Sequence, residues 1–261
     1  MANKTKLLAM IALAIAVSLP CPGRSLPANA RDSQEQQNGV SELSSYINAG
    51  SRAISEKKID EAITNYSKAS EISRSIYGAD DETSLNLDRL LAALYTQKQE
   101  NSKAERLLLS ALANTDKTSN NGKIRESEIL DELSTLYGSQ LRNQEALEAK
   151  QRSFTIRLKV PNISKEDIAK DLLILAQLHQ NLSDFLSAER CLASAIRFDK
   201  ESPSSPSDTT IEIYAILGIN HLKSGKTVEA EEAMQYSVEL AQKLHGHNSK
   251  QAIDKTSALA N

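Results

Sequence analysis

The chain has 261 residues, 40% hydrophobic, 25% charged and 4% aromatic, with nine Gly, six Pro, two Cys and no Trp. That makeup excludes collagen-like, disulfide-stapled and polytopic membrane proteins and leans towards helix, since strands draw on β-branched and aromatic residues. The net charge of −3 deepens to −6 over residues 31–261, where 28 basic groups face 34 acidic ones, and a mildly acidic chain argues against a nucleic-acid binder, which needs a basic face to displace phosphate counterions.

Lys4 and Lys6 precede an apolar run from Leu7 to Leu19, which Pro20, Pro22, Gly23 and Pro27 break. Ala28-Asn29-Ala30 then places small residues at the two positions a signal peptidase reads. Thirteen residues fall short of the roughly 20 that a membrane-spanning helix takes. Residues 1–30 therefore read as an export signal cleaved after Ala30, which makes the mature chain secreted or periplasmic with no stable membrane insertion. The competing readings are an uncleaved anchor and a lipid attachment at Cys21, although Leu19-Pro20 does not resemble a lipobox. Cleavage leaves Cys191 alone, so the fold must stand on its core without an internal disulfide. A single Cys among Arg190, Leu192 and Ala193 in a helical pattern reads as a small buried hydrophobe, not a nucleophile. Residues 31–42 are polar and are expected to form a disordered linker.

From residue 43 onward a period of 42 organises the chain. Ala62, Ala104, Ala146, Ala188 and Ala230 fall one period apart, as do the small residues Gly50, Ala92, Ser134, Ala176 and Gly218. A third small column reads Ala69, Ala111, Ser153, Ala195 and Ser237, and a fourth column reads Ala49, Leu91, Leu133, Leu175 and Leu217. Each unit has helical apolar spacing twice, as in Leu87, Leu90, Leu91, Leu94 and then Ala104, Leu107, Leu108, Ala111, with a polar turn at Gln97–Ser102 between. A unit is thus an antiparallel helix pair, A then B, with small side chains where the two backbones cross closely. The units run over about 43–84, 85–126, 127–168, 169–210 and 211–252.

Helix ends follow the same phase. Gly78, Asn120, Asn162, Ser204 and Gly246 share one column, and Gly and Asn there mark helix stops. Ser164 and Asp167 have capping-box spacing, and Asp208 is placed to cap the helix after the Pro203–Pro206 breaker. Loops 114–123 and 202–208 are expected to be the longest. Residues 248–261 begin a sixth helix A without its partner, which is expected to cap the apolar edge of the last unit.

These columns resemble the tetratricopeptide (TPR) pattern: Gly50, Ala62, Tyr66 and Ala69 in the first unit, Ala92, Ala104, Leu108 and Ala111 in the second. The long period and the turns Tyr77-Gly78-Ala79-Asp80-Asp81 and Leu244-His245-Gly246-His247-Asn248 resemble the kinesin-light-chain type. Two residues depart from the pattern: Asp88 and Lys150 stand where apolar residues are usual. The resemblance implies an all-α, right-handed TPR-like α-solenoid of five antiparallel helix pairs plus a C-terminal capping helix. It also implies a concave groove lined by the A helices. Carried onto this chain, the partner-binding positions are Asn48, Arg89, Asp131, Thr135, Leu173, Gln177, Asn181, Ile216, Ile219 and Leu222, polar in the first three units and apolar in the last two.

Catalytic signatures are thin. The chain has no Gly-rich phosphate loop, no zinc-protease motif, no nucleophile elbow and no paired Cys for zinc, so no catalytic residue, metal ligand or cofactor is assigned. His179 and His221 share a column with Tyr95 and Tyr137, which makes it a packing position. His245 and His247 around Gly246 offer two ligands without a third. Asp131 and Glu132 are adjacent on a helix and cannot face each other across a substrate. The sequence therefore predicts a non-catalytic scaffold or adaptor for a protein or peptide partner. The alternatives are a homo-oligomeric solenoid or an accessory subunit with metal-dependent activity at His179 and His221.

Overall fold

The computed structural model describes residues 30–246, and among these every regular element is an α-helix. In chain order they are α1 (Ala30–Ser55), α2 (Ile59–Tyr77), α3 (Glu82–Gln97), α4 (Asn101–Asn114) and α5 (Asn120–Ser139). Then follow α6 (Asn143–Arg157), α7 (Lys165–Asn181), α8 (Phe185–Lys200), α9 (Asp208–Lys223) and α10 (Thr227–His245). The chain divides into two compact units at Leu136/Tyr137. Residues 1–29 of the export signal and the C-terminal capping helix lie outside the described residues, while Ala30 and Arg31, which flank the expected cleavage point, open α1.

In the first unit α1 pairs with α2 and α3 with α4, and α3 packs on α2. Its core is built from Leu43, Ile47, Ala62, Tyr66, Ala69, Leu87, Leu90, Leu91 and Leu94. The segment expected to be a disordered linker is instead the start of α1. Gly39 lies against Ile76 of α2, which anchors that polar stretch. In the second unit α7 pairs with α8 and α9 with α10, while α6 packs on α7 and α9 packs on both α7 and α8. The small-residue columns are buried throughout, from Ala62, Ala69, Ala104 and Ala111 to Ala188 and Ala195, all at 0% exposure.

One recurring device had no signature in the sequence. Lys57, Gln99, Leu141, Ser183 and Gly225 all have φ between 60° and 81°, and they are 42 residues apart. They follow α1, α3, α5, α7 and α9 in turn, and the next residue's N–H donates to the carbonyl five residues back. These bonds run Lys58 to Ala53, Glu100 to Tyr95, Arg142 to Tyr137, Asp184 to His179 and Lys226 to His221, at 2.8–3.0 Å. This is the Schellman closure, and only the fifth unit uses the glycine that the left-handed conformation favours.

Some helix-end expectations are corrected. Gly78 and Gly246 do close α2 and α10 with positive φ, but Asn120 opens α5 and does not stop α4. Ser164 caps α7 by accepting from the Asp167 N–H at 3.0 Å. The cap of α9 is Ser207, whose N–H donates to Thr210 Oγ1, and Asp208 is the first helical residue. Because α5 starts early, the longest connections lie at 158–164 and 201–207 rather than at 114–123.

Both departures from the apolar pattern are buried and paired. Asp88, 1% exposed, accepts from Ser70 Oγ at 2.9 Å and from the Arg74 guanidinium at 2.5 Å. Lys150, 2% exposed, donates to Asp171 at 2.7 Å, and Arg157 donates to the same carboxylate at 2.8 Å. Unpaired charges at such depth would be strongly unfavourable, so each acceptor and its cations belong to one packing solution.

Candidate functional site

The A helices carry the expected partner-binding positions. In the first unit Asn48 on α1 and Thr135 on α5 are exposed, and Asp131 is half-buried. The Thr135 hydroxyl donates to the Asp131 carbonyl at 2.9 Å, so it is engaged within its own helix. Arg89 on α3 is turned inward on a carboxylate pair from α5. Its Nε and Nη2 donate to Glu132 Oε1 at 3.0 and 2.7 Å, and its Nη1 donates to Glu128 Oε2 at 2.8 Å. Burial works against the Arg89 charge, and the Glu132 carboxylate overrides it and holds the guanidinium more basic than usual. Burial also lifts Glu132 above the ordinary carboxylate range, against the pull of Arg89. Although 30% of the Glu132 side chain is exposed, its second oxygen is sealed without a hydrogen-bond partner. Glu128 is thus a functional neighbour of Arg89 that the columns did not single out; its spacing from Arg89 and that of Glu132, 39 and 43 residues and so about one period, was the available signal.

In the second unit Gln177 and Asn181 on α7 are exposed, as is Leu222 on α9 at 55%. Ile216 and Ile219 are half-buried, and Ile216 packs against the unit's core. Leu173 is corrected: at 4% exposure it belongs to that core. It falls on the i, i+4, i+7 stripe of Ala169 and Ala176, both at 0% exposure, which faces inward. The neighbouring Ile174, 41% exposed, is the apolar side chain that α7 presents to solvent. Below this surface Gln180 Nε2 donates to the Ile216 carbonyl at 3.1 Å and to Asn220 Oδ1 at 3.3 Å. Asn220 in turn donates to the Phe185 carbonyl at 3.0 Å, which ties α7, α8 and α9 together.

Among the described residues no group of three or more His, Cys, Asp or Glu could hold a metal ion. His179 lies with Nδ1 3.2 Å from Asp184 Oδ2, and His221 is 9% exposed with Nδ1 unpartnered. The backbone carbonyls of both accept the turn-closing N–H described above, as those of Ala53, Tyr95 and Tyr137 do at the other closures. Cys191 is a half-buried free thiol, and burial pushes its pKa up, away from a nucleophile's range.

The helix-pair architecture recurs in solved structures. A Podosopora anserina protein with nearly identical TPR-like repeats of the kinesin-light-chain kind superposes with a TM-score of 0.66 at 18% identity, covering 78% of this chain and 96% of that one. MamA (residues 41 to the end) from Desulfovibrio magneticus RS-1 matches with a TM-score of 0.57 at 11% identity, over 78% and 97% of the two chains. BtubC from P. vanneervenii matches with a TM-score of 0.52 at 17% identity, over 77% and 88%. No family profile and no curated protein matches the chain by sequence. The fold is therefore TPR-like.

Proposed function

We propose that this TPR-like chain is an exported, non-catalytic scaffold that binds a segment of a partner protein along its A helices. The reading is supported by the fold and by one observation above the rest. The solvent side of α7 and α9 carries exposed polar Gln177 and Asn181 together with Ile174, 41% exposed, and Leu222, 55% exposed. Ile219 sits one turn from Leu222 on the same side of α9. A few apolar anchors framed by polar positions are the usual source of affinity in such contacts. Export rests on the basic and apolar pattern of residues 1–30.

The test is affinity purification from the source cell of the wild-type chain, of Leu222→Asp, and of Ile219→Asp with Leu222→Asp, followed by mass spectrometry. Loss of the same specific partners from both variants, with far-UV circular dichroism unchanged, is the expected result. An unchanged partner set refutes the reading. N-terminal sequencing of the exported protein should begin at Arg31, and a retained Met1 would refute the cleaved signal.

A further inference from the structure

Within the first unit, a cleft of about 370 Å³ opens between α2, α3 and α4. Its floor is Ser70, Asp88 and Leu91, and it lies on a side of α3 other than that of Arg89. Sequence phase explains why it is there. The two floor positions held by Ser70 and Asp88 recur one period later as Leu112 and Leu130, then as Phe154 and Leu172, then as Ile196 and Tyr214. At the α6–α7 junction Phe154 and Leu172 pack into the core of the second unit. The first junction has exchanged that apolar filling for a hydroxyl and a carboxylate, and space remains.

The walls carry more donors than acceptors. Arg74 uses one nitrogen on Asp88, with 39% of its side chain exposed. Arg106 lines the same cleft, exposed and without an ion pair among the described residues. Lys103 stands over the Tyr95 ring at 5.1 Å and pairs with Glu100 at 2.5 Å. Ser67 and Ser110 add hydroxyls, while Leu91 and Leu107 give an aliphatic surface. Two carboxylates oppose an incoming anion: Glu71 on the wall, and Asp88, whose two oxygens already accept from Ser70 and Arg74.

We propose that this cleft is a second binding site, independent of the A-helix surface, which takes an acidic side chain of a partner polypeptide flanked by aliphatic residues. The carboxylate is received by Arg106 and the free donors of Arg74, and the aliphatic neighbours lie on Leu91 and Leu107. Charge-assisted bonds to a planar guanidinium suit this group.

The test is an NMR titration of the full chain with acetyl-Leu-Glu-Leu-amide and acetyl-Leu-Gln-Leu-amide, read at the arginine Nε–Hε and α2/α4 amide signals. The Glu peptide is expected to shift signals of the cleft, and the Gln peptide to bind about tenfold or more weakly. Arg106→Gln should weaken the Glu peptide by a similar factor. Ser70→Phe combined with Asp88→Leu, which copies the Phe154/Leu172 pair, should abolish its binding. Equal binding of the two peptides, no cleft shifts from either, or unchanged affinity in Arg106→Gln overturns the proposal. None of these outcomes bears on Ile219 and Leu222, which test the A-helix surface separately.

Discussion

Replacing Gly50 by alanine puts the packing argument to its sharpest test. On a helix surface the change would stabilise by about 0.8–1 kcal/mol through backbone entropy alone. Here the new Cβ would stand 2.8 Å from Tyr66 Cε2 and Cζ and 2.9 Å from Cδ2. Relief to ordinary contact needs a shift of roughly 0.6–1 Å. Tyr66 cannot supply it by swinging out, because the ring is fully buried and its hydroxyl is bonded to Ser51 at 2.9 Å. The helices α1 and α2 must part instead, and overpacking of this kind costs about 1–3 kcal/mol, towards the upper end for an aromatic neighbour. The expected net loss is about 1–2 kcal/mol. Adjacent repeats open with some independence, so the loss is best read by native-state hydrogen exchange at the amides of Leu43–Ala53, alongside urea unfolding. The second unit of the sequence shows the remedy: it pairs Ala92 with Leu108 at the same two positions. Gly50→Ala in a Tyr66→Leu background should therefore cost little, which gives a favourable coupling of about 1 kcal/mol or more in a double-mutant cycle. A gain in protection from Gly50→Ala, or a coupling indistinguishable from zero, would refute the reasoning.

Other positions give independent checks. Gly218→Ala places its Cβ 2.4 Å from Met234 Cγ and 3.1 Å from the Ala230 carbonyl; Met234 can turn away about its side-chain torsions but the backbone contact stays, so the urea midpoint should fall, and a raised midpoint would contradict it. Leu141→Gly, at φ 61° and 82% exposed, removes left-handed strain of about 1–2 kcal/mol against an entropic loss of about 0.5–1; the net is a stabilisation of roughly 0.5–1 kcal/mol, and a lowered midpoint would contradict it. Asp171→Asn withdraws the charge shared by Lys150 and Arg157 and should cost about 3 kcal/mol, visible as a drop in thermal midpoint. Burial raises the Cys191 pKa, so the folded thiol should react with a disulfide reagent at pH 8 far more slowly than in guanidinium. The same shift means its contribution to stability is complete below about pH 8.5 and is lost as pH rises through the folded-state pKa; a midpoint that rises over that range on account of Cys191, judged against Cys191→Ala, would contradict the sign.

What the sequence discloses and what it conceals divide along a physical line. Steric exclusion leaves a trace at one residue: a crossing that admits only Gly, Ala or Ser writes the same letter size every 42 residues. It writes the compensation as well, since Gly50 goes with Tyr66 and Gly218 with Met234, whereas Ala92 and Ala176 go with Leu108 and Leu192. Backbone conformation leaves no such trace where the fold can bear its cost. The five left-handed closures are as regular as the alanines, yet Lys57, Gln99, Leu141 and Ser183 hide four of them. Pairwise electrostatics is hidden in a different way, because its two halves lie apart in the chain. Lys150 reads as a flaw in its column until Asp171, 21 residues on, supplies its acceptor, and Arg89 reads as a solvent-facing groove residue until Glu128 and Glu132 close on it. The misplacement of Leu173 has the same root. A column inherited from a general pattern assigns it to the partner surface, while its own neighbours Ala169 and Ala176 assign it to the core. Where column and local stripe disagree, the stripe decides, because burial answers to the helix on which a residue sits. That rule takes Leu173 out of the partner surface and leaves Ile174 as the apolar contact of α7. An aspartate at Ile174 should accordingly leave the fold intact and impair partner capture, whereas one at Leu173 should unfold the second unit.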